Sequence, residues 1–163
     1  MKKIISCMLY SFVILSCVFS LVSCKNSNVT LKLKDTATLE DFSVFNSSTS
    51  GYITPEGFDW DKLEKKGYTM KITVNYDVYY EKNWGDLGYV GSPKYEISIK
   101  TSDGMGQSDS NMTTSTTAKT RSISFSCRAV DLKNTSIILE VSSNNIQNII
   151  HFKNVKINYT CYK

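Results

Sequence analysis

Along residues 68–80 the even positions read Tyr68, Met70, Ile72, Val74, Tyr76, Val78 and Tyr80, while Thr69, Lys71, Thr73, Asn75 and Asp77 hold odd ones. A helix repeats every 3.6 residues and would wind this pattern around its whole surface. An extended strand points alternate side chains to opposite faces, so the pattern describes a strand with one buried and one wet face. Such a sheet needs a second apolar layer over its buried face, which restricts the chain to packed-sheet architectures.

The same period returns downstream. Tyr95, Ile97 and Ile99 alternate with Lys94, Glu96, Ser98 and Lys100; Ile123, Phe125, Cys127 and Ala129 alternate with Ser122, Ser124, Ser126 and Arg128. Ile137, Leu139 and Val141 form another inward set, and Val155, Ile157, Tyr159 and Cys161 close the series. Shorter strands are expected at 29–33, at 39–45 and near Tyr52. Between them the chain is rich in Ser, Thr and Asn and poor in Ala and Leu, a composition that suits pleated sheet and turns better than helix. The expected fold is all-β, an antiparallel β-sandwich of jelly-roll type with about seven or eight strands.

One short helix interrupts the pattern. Asp59 is placed to cap it, Phe58 and Leu63 stand at the two positions of a hydrophobic staple, and Gly67 follows Lys65 and Lys66 as a stop. Segment 102–111, with Asp103-Gly104 at its start, reads as a hairpin connection; its oxygen ligands and glycines lack the spacing of an EF-hand calcium loop. Segment 112–120, dominated by Thr and Ser, reads as a polar loop or an edge strand.

At the N-terminus Met1-Lys2-Lys3 precedes an apolar stretch, 4–22, that ends in Leu21-Val22-Ser23-Cys24. A basic n-region, an apolar h-region and a small residue before a cut are the parts of an export signal. The stretch is also nearly long enough for an uncleaved anchor, although four serines dilute it and that reading leaves Cys24 unexplained. The motif resembles the lipobox of bacterial lipoproteins. The resemblance implies cleavage after Ser23, lipid on the Cys24 thiol and an exported chain held to a cell membrane or outer membrane by its N-terminal lipid. The expected organisation is a signal peptide over 1–23, a lipid-attached tether over 24–28 and a single sandwich domain over 29–163.

Of five cysteines, Cys7 and Cys17 belong to the expected signal and Cys24 is the lipid site. That leaves Cys127 and Cys161, both at inward positions of expected strands. Export permits a disulfide between them without requiring one, so a bridge and two buried thiols both stay open. Two separated cysteines and the lone His151 do not form the ligand cluster zinc requires, and no cofactor is expected.

A formal net charge of +4, with lysines interleaved among acids, offers no concentrated basic face for nucleic acid. His151 has no nucleophile motif to partner it, so no catalytic constellation emerges and the chain reads as a non-enzyme. The candidate ligand-binding residues are Tyr80, Trp84, Asp86 and Tyr89, in a stretch where aromatics, glycines and charges follow the longest strand. Exposed, such rings would stack on a sugar or fill a pocket on a partner protein; folded back, they would plug one end of the sandwich. The expected partners are the lipid membrane, through Cys24, and a glycan or surface protein. An accessory envelope protein that docks another protein, with no small-molecule site, is the alternative.

Overall fold

A computed structural model describes residues 31–82, 93–113 and 115–163. The expected signal, the tether with Cys24, and Trp84, Asp86 and Tyr89 lie outside the described residues. In chain order the elements are β1 (Lys34–Thr38), β2 (Phe42–Val44), β3 (Ser47–Ile53), α1 (Trp60–Lys65), β4 (Thr69–Lys82), β5 (Lys94–Thr101), β6 (Gly106–Met112), β7 (Lys119–Arg128), a 3-10 turn (Ala129–Leu132), β8 (Ile137–Ser143) and β9 (Asn148–Tyr162).

The strands form two antiparallel sheets. The first runs β1-β9-β4-β7, with β2 also paired to β9, and the second runs β3-β8-β5-β6. With β1 and β2 taken as two halves of one strand along the long β9, this is the strand order of a jelly roll. The alternation at 68–80 becomes β4, with Met70, Ile72, Val74, Tyr76 and Val78 buried against the inner residues of the second sheet, among them Tyr95, Ile97, Ile99, Leu139 and Val141. Burying one such aliphatic side chain contributes about 1.5 to 3 kcal/mol.

At one end of the sandwich the helix forms as its sequence dictates. The Asp59 carboxylate accepts the Lys62 N–H at 3.1 Å, and Phe58 and Leu63 are both buried. Gly67, at φ +67°, closes the helix with Gly67 N–H to Glu64 O and Tyr68 N–H to Leu63 O, a Schellman stop that needs the left-handed conformation.

Three expectations need correction. Residues 31–33, the described part of the strand expected at 29–33, are not strand: Leu31 and Leu33 are held beside the core, and pairing with β9 begins at Lys34. The segment 39–45 is not one strand: only Phe42–Val44 pairs with β9, and Asn46, at φ 43°, turns the chain across to the second sheet as β3. Most of 102–111 is not a connection. The turn closes by Met105, where Thr101 N–H donates to Met105 O, and β6 then pairs with β5 along its whole length.

Candidate functional site

The outer face of the second sheet can be read off its register. Strand pairing aligns Ser48, Ser142, Glu96 and Ser110 in one row, then Ser50, Glu140, Ser98 and Ser108, then Tyr52, Ile138, Lys100 and Gly106. Two grooves open on this face among the described residues, the first of them mainly polar. One, of about 380 Å³, is lined by Glu96, Ser98, Lys100, Ser108, Glu140 and Ser142 among others; the second, of about 440 Å³, shares Glu96 and Ser142 and extends to Asn46, Lys94 and Asn144. Together they make one trough across the sheet, along β5.

Its floor is low because its residues are small. Serines fill half of the grid, and at its corner Gly106 lies directly against β5, where a Cβ would collide with Ile99 O and the Lys100 backbone. Lys100 Nζ donates to Glu140 Oε2 at 2.9 Å across the strands. At this exposure such a pair adds under about 1 kcal/mol of stability, and what it does is hold both groups in place. Glu96 has no ion-pair partner among the described residues. At the far end the Ser143 hydroxyl donates to Lys94 O at 2.8 Å, and Asn145 Oδ1 accepts the Gln147 and Asn148 N–H groups, which shapes the β8–β9 turn bordering the trough. Tyr52, 69% exposed, stands on the same face beside Ile138 and supplies an aromatic surface at the margin.

Chemically this is a hydrogen-bonding surface with donors and acceptors of both charges and one flat ring. Glu96 and Glu140 are diagonal neighbours across β5 and β8, but Glu140 is tied to Lys100 and neither occupies the apolar pocket that makes a carboxyl group a general acid. Among the described residues no three His, Cys, Asp or Glu side chains come together as a metal would require.

Of the ligand-binding residues singled out from sequence, Tyr80 is the one among the described residues, and it falls elsewhere. Tyr80 lies opposite Ile150 on the inward register of β4, half-buried, with its N–H donating to Ser115 O at 3.1 Å. Its neighbour Tyr79 faces outward on the first sheet, stacked on His151 at 4.8 Å, and His151 Nε2 lies 3.1 Å from Glu81 Oε2. Cys127 and Cys161 are both free and buried, and the bridge left open from sequence is corrected here. Each pairs with Met70 from opposite sides of β4, so two strand spacings of about 4.8 Å separate them, beyond the reach of about 7 Å for a disulfide. Burial pushes the Cys127 thiol up to about 11, with help from the charges of Asp131 and Asp103. The trough residues appear in the sequence only as the polar half of each alternation. Cross-strand pairing brings them together, and no spacing along the chain signals it.

The geometry defines a jelly-roll sandwich with a polar trough on one face. No protein-family model matches the sequence, and no curated protein matches it. Among solved structures the chain is similar to TmCBM61, determined in complex with β-1,4-galactotriose, at 15% identity and a TM-score of 0.37, over 78% of this chain and 68% of that one. It is also similar to CBM35 from Cellvibrio japonicus Abf62, at 13% identity and a TM-score of 0.36, over 68% of this chain and 63% of that one.

Proposed function

We propose that this chain is an exported lipoprotein, attached to a membrane through lipid on Cys24, whose sandwich over 29–163 binds a carbohydrate chain without catalysis. The trough along β5 carries the reading: serine hydroxyls, Glu96, Glu140 and Lys100 offer the dense, two-sided hydrogen bonding a polyhydroxylated ligand needs, and Tyr52 offers a face for sugar C–H groups. The order Lys2-Lys3, apolar stretch, Leu21-Val22-Ser23-Cys24 supports the anchor. Trp84, Asp86 and Tyr89, which lie outside the described residues, are kept in this reading as further ligand contacts on the strength of the sequence alone.

A glycan array probed with the full chain tests the binding. Glu96→Ala and Tyr52→Ala are expected to weaken the signal at least about tenfold without lowering the melting temperature, since both side chains are exposed. Undiminished binding by both variants rules the trough out, and shortened oligosaccharides among the products rule out a non-catalytic role. Mass spectrometry of membrane-extracted protein is expected to show acylated Cys24 at the mature N-terminus; a different terminus contradicts the anchor.

A second reading, docking of a partner protein, draws on Phe45 and Ile146. Both are exposed, Ile146 at 61%, on turns joined by Asn46 N–H to Asn145 O. Ile146→Asp would abolish capture of such a partner and leave glycan binding intact.

A further inference from the structure

The outer face of the first sheet differs in charge from the trough on the other side of the sandwich. Its register places Lys34, Thr160, Lys71 and Ser126 in one row, Thr36, Asn158, Thr73 and Ser124 in the next, and Thr38, Lys156, Asn75 and Ser122 in the third. These rows contain three lysines and no carboxylate. Lys34, Lys71 and Lys156 are exposed and take part in no salt bridge among the described residues. The nearest acid along β4, Asp77, stands beyond these rows opposite Lys153, and hydrogen bonds from the Thr120 hydroxyl and the Asn154 side-chain amide keep it ionised, so the cationic rows end there. The side chains between the lysines are Ser, Thr and Asn, short enough to leave the three ammonium groups standing above them. Tyr162, 44% exposed, sits one row beyond Lys34 and Lys71, as tyrosines do at a membrane interface.

We propose that this face lies against an anionic phospholipid bilayer, with Lys34, Lys71 and Lys156 set on its headgroups. The inference rests on the reading of Cys24 as the lipid site, because the length of chain between that residue and the sheet brings the bilayer within reach. Leu33 O accepts the Cys161 N–H at 2.8 Å, which fixes the chain beside the end of β9 where the Lys34 and Lys71 row lies. Cys24 stands only seven residues before Leu31, a span of about 25 Å when fully extended. The fifteen residues of β9 extend about 50 Å, so the anchor holds the bilayer within half a sheet length of the cationic rows. Charge complementarity then selects the face: the outer side of the second sheet sets Glu96 and Glu140 against Lys94 and Lys100 and has no comparable attraction to anionic lipid.

Lysine footprinting on the full chain tests the proposal. The protein is mixed with vesicles of pure phosphatidylcholine or of phosphatidylcholine with an equal part of phosphatidylglycerol, modified with a water-soluble amine reagent, and read residue by residue by mass spectrometry. Lys34, Lys71 and Lys156 should be modified about fivefold more slowly on the anionic vesicles, while Lys65, Lys66 and Lys94 stay unchanged. Raising the salt should remove the difference, since the attraction is screened over about 8 Å at physiological ionic strength. Equal modification of the three lysines on both vesicle types overturns the proposal. So does protection by an acidic polysaccharide in solution but not by vesicles, which reassigns the face to a polymer. Flotation of the same samples reports the anchor separately: a chain that fails to float with pure phosphatidylcholine contradicts lipidation at Cys24, while the footprint on anionic vesicles still decides the face.

Discussion

Tyr159 is the one described residue whose buried side-chain oxygen has no hydrogen-bond partner. A buried hydroxyl without a partner costs about 1 to 3 kcal/mol, so Tyr159→Phe is expected to leave stability unchanged or raise it by about 1 kcal/mol. Tyr76→Phe should act in the opposite sense, because the Tyr76 hydroxyl lies 3.3 Å from that of Tyr95 and its removal strands the Tyr95 group in the core. Urea denaturation of the two variants checks both signs. The thiols give a second expectation: Cys127 and Cys161 should resist alkylation in the native chain, and both should react after denaturation without reductant, as peptide mapping would show. Individual residues were legible in the sequence as inward or outward and little more. Glu96, Ser98 and Lys100 could be read as the wet side of a strand. Their neighbours Glu140 and Ser142 come from a strand some forty residues on, and no local signal announces that pairing. Tyr52 marked a short strand in the sequence, whereas its exposure is set by the bare outer face of β3.

Among the elements β4 was the most legible, since it is paired on both sides and buried on one face. Its register makes a parity prediction. Val74→Asp should unfold the domain by burying an unpaired charge among apolar neighbours, at a cost of at least about 3 kcal/mol, and Thr73→Asp on the outer face should shift the thermal midpoint by only a few degrees. Circular dichroism melts of the two variants decide it, and equal damage contradicts the register. Strand β6 was illegible for the complementary reason. Apart from Met112 at its end, its residues, Gly106-Gln107-Ser108-Asp109-Ser110-Asn111, contain nothing apolar, so it is a strand only because β5 offers a free edge. Strand β9 hid its first half behind a bulge. Phe152 and Val155 both point inward, three positions apart, because Asn154, at φ 52°, takes up the extra residue, and the two halves of the alternation are therefore out of phase.

Across the whole molecule the buried phenols set the response to alkali. Burial raises Tyr76, Tyr95 and Tyr159 above the ordinary tyrosine value of 10.0, and burial raises Cys127 from 9.0 to about 11. A group with a raised pKa in the fold contributes stability in full below its unfolded pKa and loses it as the pH climbs toward the folded one. The melting temperature is therefore expected to fall above about pH 9, with phenolate absorbance of the three tyrosines appearing together with unfolding and not before it. A chain whose buried tyrosines ionise while still folded contradicts that packing. The place of β9 in the first sheet also bears on how the protein is made. β1 and β2 pair with β9 alone, so these first strands wait for Asn148–Tyr162 before they have anything to pair with, and β4 waits for the same residues on one of its two sides. Until those residues leave the ribosome the jelly roll cannot close, and under the export proposed above that delay would keep the chain open for threading through a membrane pore.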